Sequence, residues 1–282
     1  MTETRIIAWP DTHVPEEDKK AVDVALQIKN WYKPHTVVIL GDFLDCAPVS
    51  HWLKSRKQRK TMEGLRLASD FEKGNDLLDK ITLGIEHLIY MEGNHCKWIR
   101  DAIDTNPEFD GLINLELGLK FKERRESIKL THLEYGQCTN IGKLWFHHGI
   151  YTTQYHARKH VEAFERSIVY GHLHTVQTHV KVNATDVNDK HIGICLGCLC
   201  KKNPAYGENQ PNAWVHCIGV GLVRADGTFN IDPIIINNGV ASYAGITYRA
   251  RACSPKSEKS SLIKKSSKAS SAGRSKPTPL NS

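Results

Sequence analysis

Five apolar runs of strand length each stop at a short cluster bearing Asp, Asn or His, and this recurrence constrains the fold more than any other feature. The runs are 6–9, 37–40, 87–91, 143–146 and 167–170. The clusters that end them are Asp11-Thr12-His13, Gly41-Asp42-Phe43-Leu44-Asp45, Gly93-Asn94-His95, His147-His148-Gly149 and Gly171-His172-Leu173-His174. Runs such as Val37-Val38-Ile39-Leu40, with no polar alternation, suit strands buried on both faces of a parallel sheet. Parallel neighbours need crossovers, and helical patterns lie between the first runs. One spans Glu16 to Trp31, with Ala21, Val24, Ala25 and Ile28 on one face and the acidic Glu16, Glu17 and Asp18 in its first turn; a second covers about Thr61 to Lys80. From Ile141 onward strands dominate, over 143–146, 167–170, 191–199, 214–223 and 229–236, with Ala225-Asp226-Gly227 as a hairpin turn and one amphipathic helix at about Gln154 to Arg166. Alternation first and strands later imply an α/β fold of two packed sheets with helices outside.

A strand end fixes a side chain on rigid backbone, which metal geometry requires. The clusters offer carboxylates, imidazoles and one amide, and no thiolate. That mixed oxygen and nitrogen set suits two borderline-hard ions such as Mn²⁺, Fe or Zn²⁺, and the chain reads as a two-metal hydrolase. The i, i+2 spacing of Asp11/His13 and of His172/His174 would let each pair point to one side of an extended chain.

Taken in order, D-x-H, G-D-x-x-D, G-N-H, H-G and G-H-x-H resemble the signature of the calcineurin-like metallophosphoesterases over residues 11 to 174. The resemblance implies a four-layer αββα sandwich of two mixed β-sheets flanked by helices, with the metal site at the C-terminal ends of the strands. It implies two divalent ions, Mn²⁺ first and Fe or Zn²⁺ as alternatives, bridged by Asp42. Asp11, His13 and His174 would complete one site, and Asn94, His148 and His172 the other. His148 is preferred to His147 because the family ligand directly precedes glycine. The family assigns the residue at His95 to protonating the leaving group, with Asp45 hydrogen-bonded to it to fix its tautomer and charge. One departure is Cys96, where the family usually has a carboxylate supporting the ligands.

Protein phosphatases of the superfamily place arginines where this chain has Cys46 and Glu92. Monoesters carry nearly two negative charges and diesters one, so the missing cations lean toward a phosphodiesterase, with a nuclease among the options. The alternatives are a phosphomonoesterase acting on nucleotides or other small phosphoesters, and a non-catalytic scaffold on the same fold. The segment 51–60, HWLKSRKQRK, carries five cations and Trp52, a stacking face for nucleic acid; its other reading is a solvated basic surface. Arg56, Arg59, Lys97 and Arg100 are the candidate substrate contacts.

Residues 1–250 read as one metallophosphoesterase domain and 251–282 as a basic Ser/Lys-rich disordered tail. The net charge of +7 resides mainly there, because beyond Cys253 seven cations face one anion and leave the rest near +1. Such a tail cannot bury enough apolar surface to order itself, and could tether nucleic acid. No apolar stretch approaches the roughly 18 residues of a membrane span. The N-terminus lacks a signal-peptide pattern, so a cytoplasmic protein with free thiols is expected. Cys195, Cys198 and Cys200 lack a matching second pair and read as small buried core residues rather than a zinc site.

Overall fold

The computed structural model describes residues 3–50, 63–204 and 211–251. The basic segment 51–60, with Trp52, Arg56 and Arg59, and the tail from 252 onward lie outside the described residues. Among the described residues no helix is long and apolar enough to cross a membrane.

Thirteen strands form among the described residues. The first sheet has the order β11 (Phe229–Ile235), β10 (Cys217–Val223), β1 (Thr4–Trp9), β2 (Thr36–Ile39), β3 (His87–Met91) and β4 (Lys129–Leu133). β1 to β4 run parallel, while β10 is antiparallel to β1 and to β11. The second has the order β5 (Thr139–Ile141), β6 (Leu144–His147), β7 (Ser167–Tyr170), β9 (Asp186–Leu196) and β8 (Val176–Asn183), with β6, β7 and β9 parallel. β12 (Val240–Tyr243) and β13 (Ile246–Arg249) form a separate hairpin.

Period-two alternation divides each central strand between two cores. Ile6, Ala8, Val38, Leu40, Ile89 and Met91 meet Leu144, Phe146, Val169, Ile194 and Leu196 between the sheets. Ile7, Trp9, Val37, Ile39, Leu88 and Tyr90 face outward, against α1 (Lys19–Tyr32) and α2 (Leu67–Thr82). Helix α3 (Asn94–Thr105) leads on from β3, and α4 (His156–Phe164) covers the second sheet, burying Ala157 and Val161 completely. The result is the expected αββα sandwich. Each fully buried Val, Leu or Ile of these cores contributes about 1.5–3 kcal/mol.

The strand at 167–170 and the one at 87–91 fall where the sequence put them; other elements shift. α1 starts at Lys19, because the Asp18 carboxylate accepts hydrogen bonds from the Lys20 and Ala21 amides at 2.9 Å. Glu16 and Glu17 therefore precede the helix instead of filling its first turn, and Glu16 pairs with Lys201 at 3.0 Å. α4 is shorter than the pattern at 154–166, ending where Glu165 turns left-handed at φ 49°. β9 stops at Leu196, since Gly197 takes φ 72°, and Cys198 and Cys200 lie in the buried connection beyond.

Candidate metal centre

The ends of β1, β2, β3, β6 and β7 deliver all five clusters to one point, the crevice at strand C-termini where α/β folds place ligands. Asp11, His13, Asp42, His148 and His174 are buried, between 0% and 6% exposed. His13, Asp42, His172 and His174 adopt left-handed backbones with φ of 51°, 45°, 71° and 60°. Such conformations cost about 1–2 kcal/mol each for residues with a Cβ, and strain of this kind collects at functional sites. They also correct the extended-chain reading of the i, i+2 pairs, because tight turns, not a pleat, aim these rings.

Two glycines make room for the carboxylates. A Cβ on Gly171 would lie 2.1 Å from Asp11 Oδ2, and one on Gly93 would lie 2.0 Å from Asp42 Oδ1. Asp11 accepts from the His172 amide at 2.9 and 3.0 Å, and its Oδ1 lies 3.5 Å from His174 Nε2. Asp42 Oδ1 accepts from the His95 amide at 2.9 Å, while Oδ2 stands 3.4, 3.9 and 4.0 Å from Nε2 of His148, His13 and His95. Burial raises the Asp42 pKa, but these imidazoles outweigh it and hold the carboxyl well below its usual range.

The tautomers follow from the outer partners. His148 Nδ1 donates to the Leu40 carbonyl at 2.9 Å, so Nε2 faces Asn94 Oδ1 at 3.1 Å and the Asp42 carboxylate. His13 Nδ1 donates to Asp45 Oδ1 at 3.1 Å, which turns its Nε2 toward His174 Nε2, also at 3.1 Å. Burial, then the charge of His95, lowers the His13 pKa, so its Nε2 presents a lone pair. Burial opposes protonation of His148 as well, but Asp42 prevails and its pKa rises to about 9. His172 Nδ1 is buried without a hydrogen-bond partner.

The lone pair of His13 Nε2 thus faces His174 Nε2 across 3.1 Å, an arrangement that a proton or a cation between them satisfies. Among the described residues three groups could hold an ion: His13, His174 and Cys200; His13, Asp42 and His95; Asp42, His148 and His172. Asp42 belongs to two of them, and His172 and His174 fall in different ones. The donor set fits divalent ions.

At the rim, His95 is 14% exposed in its side chain and donates from Nδ1 to the Asp45 carbonyl at 2.7 Å. The Asp45 carboxylate is 3.5 Å from that nitrogen and closer to His13, so it serves both rings. Burial lowers the His95 pKa, but Asp42 and Asp45 raise it further, which favours a held proton. Asp45 itself is depressed to about 2: burial raises it, and hydrogen bonds from His13 and His95 more than offset that.

His147 turns away from the cluster, as alternation requires; its Nδ1 accepts from the Gly149 amide at 2.8 Å, and burial pushes its pKa down to about 4. Lys97 and Arg100 do not reach the centre as free cations: Lys97 pairs with Asp101, and Arg100 with the buried Glu92, both at 2.5 Å. Glu92 also binds His132 at 3.1 Å. Sequence reasoning missed three supports. Trp98 lies against the His95 ring at 3.9 Å, a contact its i+3 position on α3 could have suggested. Trp214 meets the His174 ring edge-on at 4.2 Å, and Cys200 Sγ stands 3.9 Å from His174 Nδ1; neither leaves a sequence signal.

The motif order and its placement at the strand ends are those of the signature that the chain resembles. No protein-family model matches the chain, and no curated protein does. Solved structures similar in fold include Vps29 of Chaetomium thermophilum, at 11% identity and TM-score 0.37, covering 88% of this chain and 100% of that one. Others are YfcE, a phosphoesterase from E. coli (14% identity, TM-score 0.35, 84% and 100% covered), and the nuclease MPE of Pseudomonas putida (12%, 0.32, 81% and 85%). At these values the likeness adds nothing to the site chemistry.

Proposed function

We propose that the chain is a calcineurin-like metallophosphoesterase that hydrolyses phosphoesters at a dinuclear centre, diesters before monoesters, with nucleic acid as the favoured substrate class. The observation that carries this reading is the Asp42 carboxylate, 2% exposed and ringed by three imidazole Nε2 atoms within 4.0 Å, with Asp11, His174, His172 and Asn94 beside them. These side chains would hold divalent ions, whose chemistry there would be neutralising phosphate oxygens and acidifying a water. Asp42 would be the ligand common to two ions, with Asp11, His13 and His174 completing one site and Asn94, His148 and His172 the other. Asp45 fixes the His13 tautomer through its carboxylate and the His95 tautomer through its carbonyl. His95, the more exposed ring, delivers its Nε2 proton to the leaving oxygen.

Diester preference rests on the cations. Cys46 and Glu92 stand where a dianion would want arginine, and Lys97 and Arg100 are already paired with carboxylates. The basic segment 51–60 and the tail favour a nucleic-acid substrate through charge alone. The test compares bis-p-nitrophenyl phosphate with p-nitrophenyl phosphate, using EDTA-stripped protein and added Mn²⁺. Mn²⁺-dependent turnover that is faster on the diester is expected. Faster monoester turnover would make this a phosphatase, and metal binding without turnover of either would leave a scaffold.

A further inference from the structure

We propose that His156 and His160, outside the metal cluster, are positioning residues: one face of α4 ties together the backbone segments that carry His148, His172 and His174. This rests on the ligand assignment above. His160 is fully buried, and its ring stacks on Tyr170 at 3.8 Å with planes 20° apart. Tyr170 ends β7, two residues before His172. His160 Nδ1 donates to the His156 carbonyl at 2.8 Å, so Nε2 carries the lone pair. That atom accepts from the amides of Ile150 at 3.2 Å and Tyr151 at 3.5 Å, the two residues that follow His148-Gly149.

His156, 5% exposed, reaches the other two segments. Its Nδ1 is 2.6 Å from the Tyr170 hydroxyl, and its Nε2 is 3.1 Å from Thr175 Oγ1, directly after His174. The helix itself is held firmly. Gln177 Oε1 accepts from the Ala157 amide at 2.7 Å, and Gln177 Nε2 donates to the Gln154 carbonyl at 3.0 Å. A Cβ on Gly193 of β9 would stand 2.7 Å from the Ala157 carbonyl oxygen, so α4 has no slack against the sheet.

Packing alone does not call for this pair. A leucine or phenylalanine fills such a volume without burying polar atoms, whereas a buried polar group costs stability unless it is bonded. Here both nitrogens of both rings have partners. Burial also pushes the His160 pKa down to about 4, so its acceptor persists at neutral pH. Those bonds converge on the residues flanking three ligands, where outer-shell support typically sets metal affinity.

The test measures Mn²⁺ affinity of the full chain by calorimetry for the parent, His160→Leu, His160→Gln and Tyr170→Phe. Glutamine keeps an acceptor near the position of Nε2; leucine keeps volume only. His160→Leu should weaken binding by about 10–100-fold, with His160→Gln within about 3-fold of the parent. Tyr170→Phe, which removes only the hydroxyl and retains the stack, should weaken it by several-fold and answers the question if His160→Leu fails to fold. Parent-like affinity in both His160→Leu and Tyr170→Phe would overturn the proposal, as would equal losses in the leucine and glutamine variants. Should the parent bind no divalent ion, the ligand assignment fails, and hydrogen exchange then tests the tie itself. Ile150 and Tyr151 amides should be protected in the parent and His160→Gln and exposed in His160→Leu; equal rates in all three would refute it.

Discussion

Replacing Gly93 with alanine isolates the close approach on which the centre depends. Gly93 has φ −99° and ψ −174°, backbone that alanine adopts freely, so any loss must come from the added methyl. That methyl would lie 2.0 Å from Asp42 Oδ1, 2.6 Å from its Cγ and 2.4 Å from its backbone nitrogen. The Asp42 backbone cannot retreat easily, because its carbonyl accepts from the Thr12 and His13 amides at 3.0 and 2.9 Å. Overpacking of this kind costs about 1–3 kcal/mol. Moving Oδ1 away also breaks the charge-assisted bond from the His95 amide, worth about 1.5–3 kcal/mol. Together the loss is about 2.5–6 kcal/mol, a large share of the roughly 5–15 kcal/mol that holds a domain folded. Urea unfolding of EDTA-treated protein measures it. Gly84→Ala is the control: φ is 75° with nothing within 4 Å of the new Cβ, so backbone strain alone should cost about 1–2 kcal/mol. A Gly93→Ala loss below about 1 kcal/mol, or smaller than that of the control, would refute the steric argument.

Three further outcomes are expected. His95→Ala should slow turnover by about 10²–10⁴-fold while metal content stays at the parent level; loss of metal would make His95 a ligand. Asp70 is 3% exposed with an unpartnered Oδ2, and burial together with Asp45 raises its pKa from 3.8 to about 7. The folded state then holds a proton that the unfolded state releases, so stability falls as pH rises from about 4 to 7. Asp70→Asn should stabilise the protein above pH 7 by about 1–2 kcal/mol, a gain that shrinks toward pH 4 in chemical denaturation; a destabilised variant at pH 8 would contradict this. Deleting 254–282 removes seven cations and one anion, and should weaken nucleic-acid binding and flatten its salt dependence while small-diester turnover is unchanged. Unaltered nucleic-acid affinity would leave the tail without that role.

The strands that carry the clusters were legible because they are buried on both faces and therefore read as unbroken apolar runs. β4 and β8 left no such trace. In β4 only Leu130 is buried, and in β8 Val180 and Val182 are about half exposed among polar neighbours. The helix beginning at Lys19 was misplaced because Glu16 and Glu17 resemble first-turn acids, and only the Asp18 cap distinguishes them. Residue types and their order pointed to side chains that the fold does gather, and Gly41, Gly93 and Gly171 stand where a ring or carboxylate presses close. The sharing of Asp45 between His13 and His95 was not legible, because it arises from contacts more than thirty residues apart.

The most direct test of the central claim is metal content by mass spectrometry together with diester turnover, for the parent and for Asp42→Asn. A bridging carboxylate predicts two Mn²⁺ ions per chain and turnover in the parent, with at most one ion and no turnover in the variant. A variant that keeps both ions and hydrolyses the diester at the parent rate would contradict the bridge, and with it the assignment of these five strand ends to one dinuclear centre.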